Sequence, residues 1–229
     1  MKLIAVNGSP RKNYNTATLL KHAMEGAKAC GADTELLHLY NYDYKGCQSC
    51  FACKRKNAKT NGHCAVNDSL SRVFDKISAA DALIIGAPIY LGSVNGMTGS
   101  FFERLIYPYL SYGNSVANPK LMKTGFIYTL GADENRMKSV GYDHSAIMNQ
   151  MLLTRVFGSS EYLLVTDTYQ FDDYSKYEAS AVDLEVKTKR REEVFPKDCE
   201  KAYELGVWLV QNELDKTNSC SSKLNTLQK

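Results

Sequence analysis

No run in this chain approaches the roughly 20 consecutive apolar residues of a membrane helix, so a helical span is excluded. The first apolar stretch, Leu3 to Val6, is far shorter than the core of a secretory signal. A cytoplasmic location without membrane attachment is therefore expected. Charge of one sign is also in small excess: 28 Lys and Arg face 25 Asp and Glu, a net +3. With no basic stripe and no nucleic-acid module, nucleic acid is not an expected partner. The clusters Lys54-Arg55-Lys56 and Lys187 to Arg191 read as solvated faces. The four histidines, His22, His38, His63 and His144, fall in no metal or triad spacing. A Gly-x-Ser-x-Gly elbow is missing, which removes the signature of a serine hydrolase. Internal repeats are absent as well.

The chain alternates strand and helix over its 229 residues. Apolar patterning predicts strands at Lys2–Val6, Thr34–Leu39, Ala82–Ala87, 122–130 and 161–168. Helices are predicted at Thr16–Cys30, Asp68–Ala79, 96–109, 141–156 and from Pro196 to about Leu214. Residues 40–65 read as a long cysteine-bearing loop. Residues 169–196 read as an insertion, a hairpin or arm used in oligomerisation. A single domain over 1–215 and a disordered tail over 216–229 complete the expectation. Five strands separated by helices imply an α/β fold with a doubly wound parallel sheet, simplest in the order 2-1-3-4-5. Ligands in such sheets bind at the carboxyl ends of the strands where the order reverses, here between strands 1 and 3.

Two unusual loops fall on the two sides of that point. After strand 1 comes Asn7-Gly8-Ser9-Pro10-Arg11-Lys12-Asn13-Tyr14-Asn15-Thr16. It lacks the Gly-Lys-Ser/Thr ending of a P-loop and the Gly-x-Gly-x-x-Gly of a dinucleotide fold. Its hydroxyls at Ser9 and Thr16, the following helix N-terminus and Arg11 suit a phosphate. After strand 3 comes Pro88-Ile89-Tyr90-Leu91-Gly92-Ser93-Val94-Asn95-Gly96. Pro88 shapes that turn, Gly92 and Gly96 admit close backbone approach, and Tyr90 offers a stacking surface. The loop suits the edge of a flat heteroaromatic ring.

These residues resemble a known family. Asn7 to Thr16 looks like the FMN phosphate loop of the NAD(P)H-dependent FMN reductases of the flavodoxin-like superfamily. Gly86-Ala87-Pro88-Ile89-Tyr90-Leu91-Gly92 resembles their isoalloxazine loop, and Phe101-Phe102-Glu103-Arg104 the helix that follows it. The resemblance runs from Met1 to about Leu130 and more loosely to the closing helix. It implies FMN, a nicotinamide donor (NADH or NADPH), a small electron acceptor, and a homodimer or homotetramer. It carries Ser9, Arg11, Asn15 and Thr16 over as phosphate contacts. Pro88, Ile89, Tyr90, Leu91 and Gly92 carry over as ring contacts. Flavodoxins proper are a poorer match, because their phosphate loop is Thr-rich and this chain has Ser-Pro-Arg.

Cys47, Cys50 and Cys53 have the spacing C-x2-C-x2-C, and Cys64 follows after ten intervening residues. Three thiolates so spaced can wrap three corners of a [4Fe–4S] cube, with a fourth from farther away. Lys54-Arg55-Lys56 would favour thiolates beside them. The pattern resembles the iron–sulfur flavoproteins of the same superfamily, although their gap before the last cysteine is shorter. Free redox-active thiols and zinc are the other readings of the same residues. His63, next to Cys64, is an alternative fourth ligand. All seven cysteines are read as thiols, ligands or redox groups, not structural disulfides. Cys30 and Cys199 are expected as small core residues and Cys220 as an exposed bystander. Tyr107, Tyr109 and Tyr112 read as core and rim tyrosines.

The leading reading is thus an FMN-dependent NAD(P)H oxidoreductase passing electrons to a quinone, nitro or azo compound, a flavin or a protein. The alternative is an iron–sulfur flavoprotein relaying single electrons, with a ferredoxin as partner. A redox or metal sensor on a degenerate scaffold is a third. No side-chain acid or base is required by flavin chemistry, so the catalytic residues are unknown at this level.

Overall fold

The computed structural model describes residues 1–55, 63–112 and 119–211. Strand β1 (Lys2–Asn7) lies between β2 (Asp33–His38) and β3 (Ala82–Tyr90), and both pairings are parallel. Strand β3 is buried along its whole length until Tyr90, as a central parallel strand should be. A two-residue strand, β4 (Ser93–Val94), folds back antiparallel on the end of β3. Strands β5 (Met122–Thr129) and β6 (Gly158–Val165) extend the sheet in parallel. The order is β2-β1-β3-β5-β6. With β4 set aside, this is the expected 2-1-3-4-5 arrangement and its switch point.

Helices cover both faces. On one lie α1 (Asn15–Ala29) and the closing helix α7 (Phe195–Val210), over a core that includes Leu3, Ala5, Leu19, Leu20, Ile84 and Ala202. Gly26 of α1 and Gly206 of α7 let these helices approach until backbone meets backbone. A methyl at Gly206 would collide with the Ala23 carbonyl, and one at Gly26 with that of Tyr203. The other face carries α2 (Ser69–Ser78), α3 (Gly96–Ile106) and α5 (Asp143–Phe157). Leu70, Val73, Phe74 and Ile77 form the buried stripe of α2 at helical spacing. Asp68 caps α2, accepting from Leu70 N at 3.0 Å.

Three expectations change. The helix expected at 141–156 is preceded by a separate α4 (Glu134–Val140), because Gly141 at φ 71° ends α4 in the left-handed region. Residues 169–196 hold no hairpin. They form a short 3-10 turn at Tyr174–Lys176 and then α6 (Leu184–Glu193). Capping by Asp183, which accepts from Val186 N at 3.1 Å, starts that helix. Cys30 is half-buried against the core at the end of α1 and carries a disulfide, against the all-thiol expectation. Cys199 is buried, as expected. The closing helix is described as far as Val210. Gln211 is already extended backbone beyond the helix, and residues 212–214 of the expected span to Leu214, the tail 216–229 and Cys220 lie outside the described residues. No described helix is long and apolar enough to cross a membrane.

Candidate functional site

The turn after β1 is held from below. Gly8 N donates to Gly86 O on β3 at 2.7 Å, and the Asn95 amide donates to Gly8 O at 2.9 Å. Gly8 is obligatory, since a Cβ there would collide with Thr98 Oγ1. Asn7 Oδ1 accepts from Ser9 N at 3.0 Å, while Asn7 Nδ2 lies 3.0 Å from His38 Nδ1. Burial, aided by Lys12 and Lys21, holds the His38 pKa below its usual value. A neutral ring can accept from Asn7 and fix the turn. Ser9 Oγ in turn accepts from Arg11 N at 3.2 Å.

The start of α1 carries no cap of its own. Tyr14, at the N-cap, offers no side-chain cap, and the first turn holds no acidic residue. The leading N–H groups and the helix dipole are left for a ligand. Ser9, Asn15 and Thr16 are buried around them. Arg11 stacks on the Tyr14 ring at 3.8 Å and donates to Gln170 O at 2.5 Å.

The second loop is a tight hairpin. Tyr90 pairs with Ser93, and the two residues between them, Leu91 and Gly92, have φ of 53° and 85°. Positive φ at both central positions is the hallmark of a type I′ turn. Leu91 is fully exposed there, so packing does not repay its strained backbone. Asn95 latches the loop: besides Gly8 O, its Nδ2 reaches Tyr40 Oη at 3.1 Å, and its Oδ1 accepts from Thr98 Oγ1 at 2.6 Å.

Between the two loops runs one cleft. Ser9, Arg11, Asn15, Thr16, Pro88, Ile89 and Tyr90 all line it, while Leu91 and Gly92 form the neighbouring turn outside the lining. Thr129 at the end of β5, Leu130 and Gly131 just after it, and Thr168 and Gln170 beyond β6, also line it. Sequence reasoning named none of these five as contacts, and it gave Asn95 no role within its loop. The carboxyl-edge rule pointed to the strand ends, but it does not choose side chains. No carboxylate is among the lining residues, so the chemistry of the donor set fits the phosphate of FMN.

Residues 169–191 close over the phosphate end. Asn15 Nδ2 donates to Tyr169 O at 2.8 Å, and Asn15 Oδ1 accepts from Arg191 Nη1 at 2.8 Å. The Asn15 side chain is thus spent within the protein. Lys187 pairs with Asp167 and donates to Gly131 O at 2.7 Å.

The cysteine loop runs along α3. Tyr44 Oη donates to Met97 O near the start of that helix, at 2.8 Å, and Cys47 N donates to Glu103 Oε2 at 3.1 Å. Left-handed residues at Ser49 and Phe51 coil the segment. Cys47, Cys50, Cys53 and Cys64 line one hollow, together with Glu103, Arg104 and Tyr107 of α3 and the turn after it. The hollow is sulfur-rich, with Phe51, Ala65, Val66 and Pro108 beside the four thiols, a donor set that fits an iron–sulfur group. Among the described residues, no three potential ligands are drawn close enough to grip a single metal ion. The cationic run does not act as expected. Burial pushes the Cys53 thiol up more than Lys54 pulls it down. Lys54 Nζ turns instead to the carbonyls of Tyr107, Pro108 and Leu110. Lys56 lies outside the described residues. His63 lies edge-on to Tyr109 at 6.4 Å and does not line the hollow.

The parallel sheet with helices on both faces and a ligand cleft at its switch point defines a flavodoxin-like protein. Residues 1–168 match the NADPH-dependent FMN reductase family, and the chain belongs to that family. Among curated relatives, an iron–sulfur flavoprotein of Archaeoglobus fulgidus is 39% identical over 104 residues, 45% of this chain and 48% of that protein. One from Methanosarcina thermophila is 30% identical over 106 residues, 46% of this chain and 53% of that protein. The chain thus spans about half the length of these relatives. Among solved structures, an NAD(P)H:quinone oxidoreductase from Methanothermobacter marburgensis superimposes with a TM-score of 0.65 at 16% identity, over 93% of this chain and 98% of that one. An azoreductase from Bacillus anthracis gives 0.62 at 11% identity, over 90% of this chain and 99% of that one. At these identities the two structures speak for the fold alone.

Proposed function

We propose that this chain is an iron–sulfur flavoprotein. It binds FMN in the cleft between the Ser9–Thr16 and Pro88–Gly92 loops and a [4Fe–4S] cluster on Cys47, Cys50, Cys53 and Cys64. The observation that carries this reading is the convergence of all four cysteines on one hollow, although ten residues separate the last from the others. The iron–sulfur flavoproteins among its relatives support it.

Bound FMN supplies exchange between two-electron and one-electron chemistry. The residues do the rest. The α1 N-terminus and Arg11 hold the phosphate, with Ser9 and Thr16 beside them. Pro88, Ile89 and Tyr90 meet the ring, with the Leu91–Gly92 turn beside them. Asn95 keeps the two loops in register. Helix α3 links the centres: it starts at the ring loop and passes the cysteine hollow at Glu103. At 1.5 Å per residue, Asn95 to Glu103 is a rise of about 12 Å. Electrons then pass to or from a protein partner such as a ferredoxin, with NADH or NADPH as a further donor. A homodimer or homotetramer in the cytoplasm fits this reading.

A second reading keeps the thiols free. The chain is then an FMN-dependent NAD(P)H oxidoreductase acting on a small acceptor. Its support is that the flavin cleft is lined without any cysteine. Visible spectra with iron and sulfide assays on protein purified without oxygen decide between the two. Flavin with about four irons per chain supports the first. Flavin without iron leaves the second, and absence of flavin rejects both.

A further inference from the structure

The most confined cation among the described residues lies beside the cysteine hollow. The Arg104 side chain, on α3, has no solvent exposure. Its guanidinium forks onto Asp68, Nη1 to Oδ2 at 2.5 Å and Nη2 to Oδ1 at 2.9 Å. Nη1 also donates to Lys45 O at 3.0 Å and Nη2 to Val66 O at 3.2 Å. Four bonds therefore lock the group in place, and none uses Nε. The Nε–H is buried without a hydrogen-bond partner. Leaving such a donor unmade costs about 1–3 kcal/mol, so an orphan this rigid calls for an explanation.

Its surroundings supply one. Arg104 and Cys64 together line the cysteine hollow and also a neighbouring cavity bounded by Phe74, Tyr109 and Phe157. Cys64 thus stands in the wall between two spaces, with the guanidinium beside it. Burial opposes the Arg104 charge, but Asp68 and Cys64 together hold its pKa above the ordinary value. The Asp68 clamp matters for direction. With both Nη atoms turned to the carboxylate and carbonyls, Nε–H is the donor left for sulfur.

Resting on the cluster reading above, we infer that Arg104 is a positioning residue that donates its Nε–H to the Cys64 sulfur and raises the reduction potential of the bound cluster. A cationic donor to a ligand sulfur stabilises the more negative, reduced form more than the oxidised one. The bond forms with the thiolate of the loaded protein. Asp68, through its fork, fixes the orientation of the donor and caps α2 at the same time.

Redox titration of the anaerobically purified holoprotein, followed by electron paramagnetic resonance, tests this. Arg104→Lys keeps the charge but has no Nε–H. At a fixed potential its ratio of reduced to oxidised cluster falls about tenfold, equal to 59 mV for a one-electron couple. The flavin couple, read in the same titration, stays within twofold. A merely structural role predicts loss of cluster or of fold, not a shifted potential with a full cluster. A second measurement starts from the wild-type protein. Pulsed resonance on wild-type protein whose arginines carry 15N at Nε shows a nitrogen coupled to the reduced cluster. That coupling persists in Arg55→Lys and vanishes in Arg104→Lys. A fully loaded Arg104→Lys protein with an unchanged potential, or a wild-type cluster with no coupled arginine nitrogen, overturns the inference. Wild-type protein without iron overturns the cluster reading itself, and the metal assay reveals that separately.

Discussion

Asn95→Ala is the sharpest test of how the cleft between the two loops is held open. Asn95 is 2% exposed, and its amide joins three parts of the chain. It donates to Gly8 O under the phosphate loop and to Tyr40 Oη, and it accepts from Thr98 Oγ1. Its backbone N–H, bonded to Pro88 O at 3.1 Å, is kept by alanine. Truncation strands two buried groups, the Gly8 carbonyl and the Thr98 hydroxyl, each at about 1–3 kcal/mol. Tyr40 is 41% exposed and finds water at little cost. The expected loss is roughly 3 kcal/mol, or about 6–12 °C in melting temperature for a chain of this size. Urea unfolding of the flavin-free protein measures it, with an unchanged m-value if the unfolded state is unaffected. Thr98→Val supplies the cross-check. It removes the stranded hydroxyl, so the double variant falls short of the summed losses by about 1 kcal/mol. FMN affinity drops about tenfold in the single variant, because both loops lose their mutual register. A stability loss under about 0.5 kcal/mol, or strict additivity with Thr98→Val, refutes the latch.

Four further outcomes are expected. Arg11→Ala weakens FMN binding by more than about tenfold in a titration of flavin-free protein, since it deletes a charge-assisted phosphate contact. Unchanged affinity sinks the phosphate assignment. Cys50→Ser removes iron yet leaves FMN affinity within about twofold, because no cysteine lines the flavin cleft; loss of flavin means the cysteine loop builds that site. Leu91→Asn raises stability by about 0.5–1 kcal/mol, as asparagine tolerates positive φ and Asn-Gly suits a type I′ turn. A lower melting point shows that the exposed leucine packs on something. Finally, burial depresses the His38 pKa, so protonating it opposes folding. The neutral-state stability is intact above the unfolded-state value of about 6.5 and declines as pH falls through and below it. Melting curves of flavin-free protein between about pH 7 and 5.5 show the decline, and His38→Gln flattens it. An equal slope in the variant excludes His38 as the cause.

Much of this architecture is legible in one dimension because its causes are local. Ala82 to Ala87 is apolar at every position, which only a strand buried on both faces requires, and Leu70, Val73, Phe74 and Ile77 recur at helical spacing. Alternation of such segments dictates a parallel sheet, and that sheet dictates where its crevice lies. Seven of the nine expected flavin contacts therefore line the cleft. What local patterning does not hold is pairing between distant residues. Nothing in the sequence says that Asn95 meets Gly8, that Arg191 reaches across to Asn15, or that Arg104 forks onto Asp68. Those bonds depend on which helix lies over which loop. The segment 169–196 was legible as an insertion or arm but not in its course: Phe171 and Tyr177 stack on each other at 4.0 Å, and the chain turns back over the loop after β1. Residue order along the chain determined the sheet, the cleft and the cysteine spacing. The tertiary structure decided which polar groups are satisfied and which, like Arg104 Nε, stay buried and unpaired, because hydrogen bonding is settled by three-dimensional proximity.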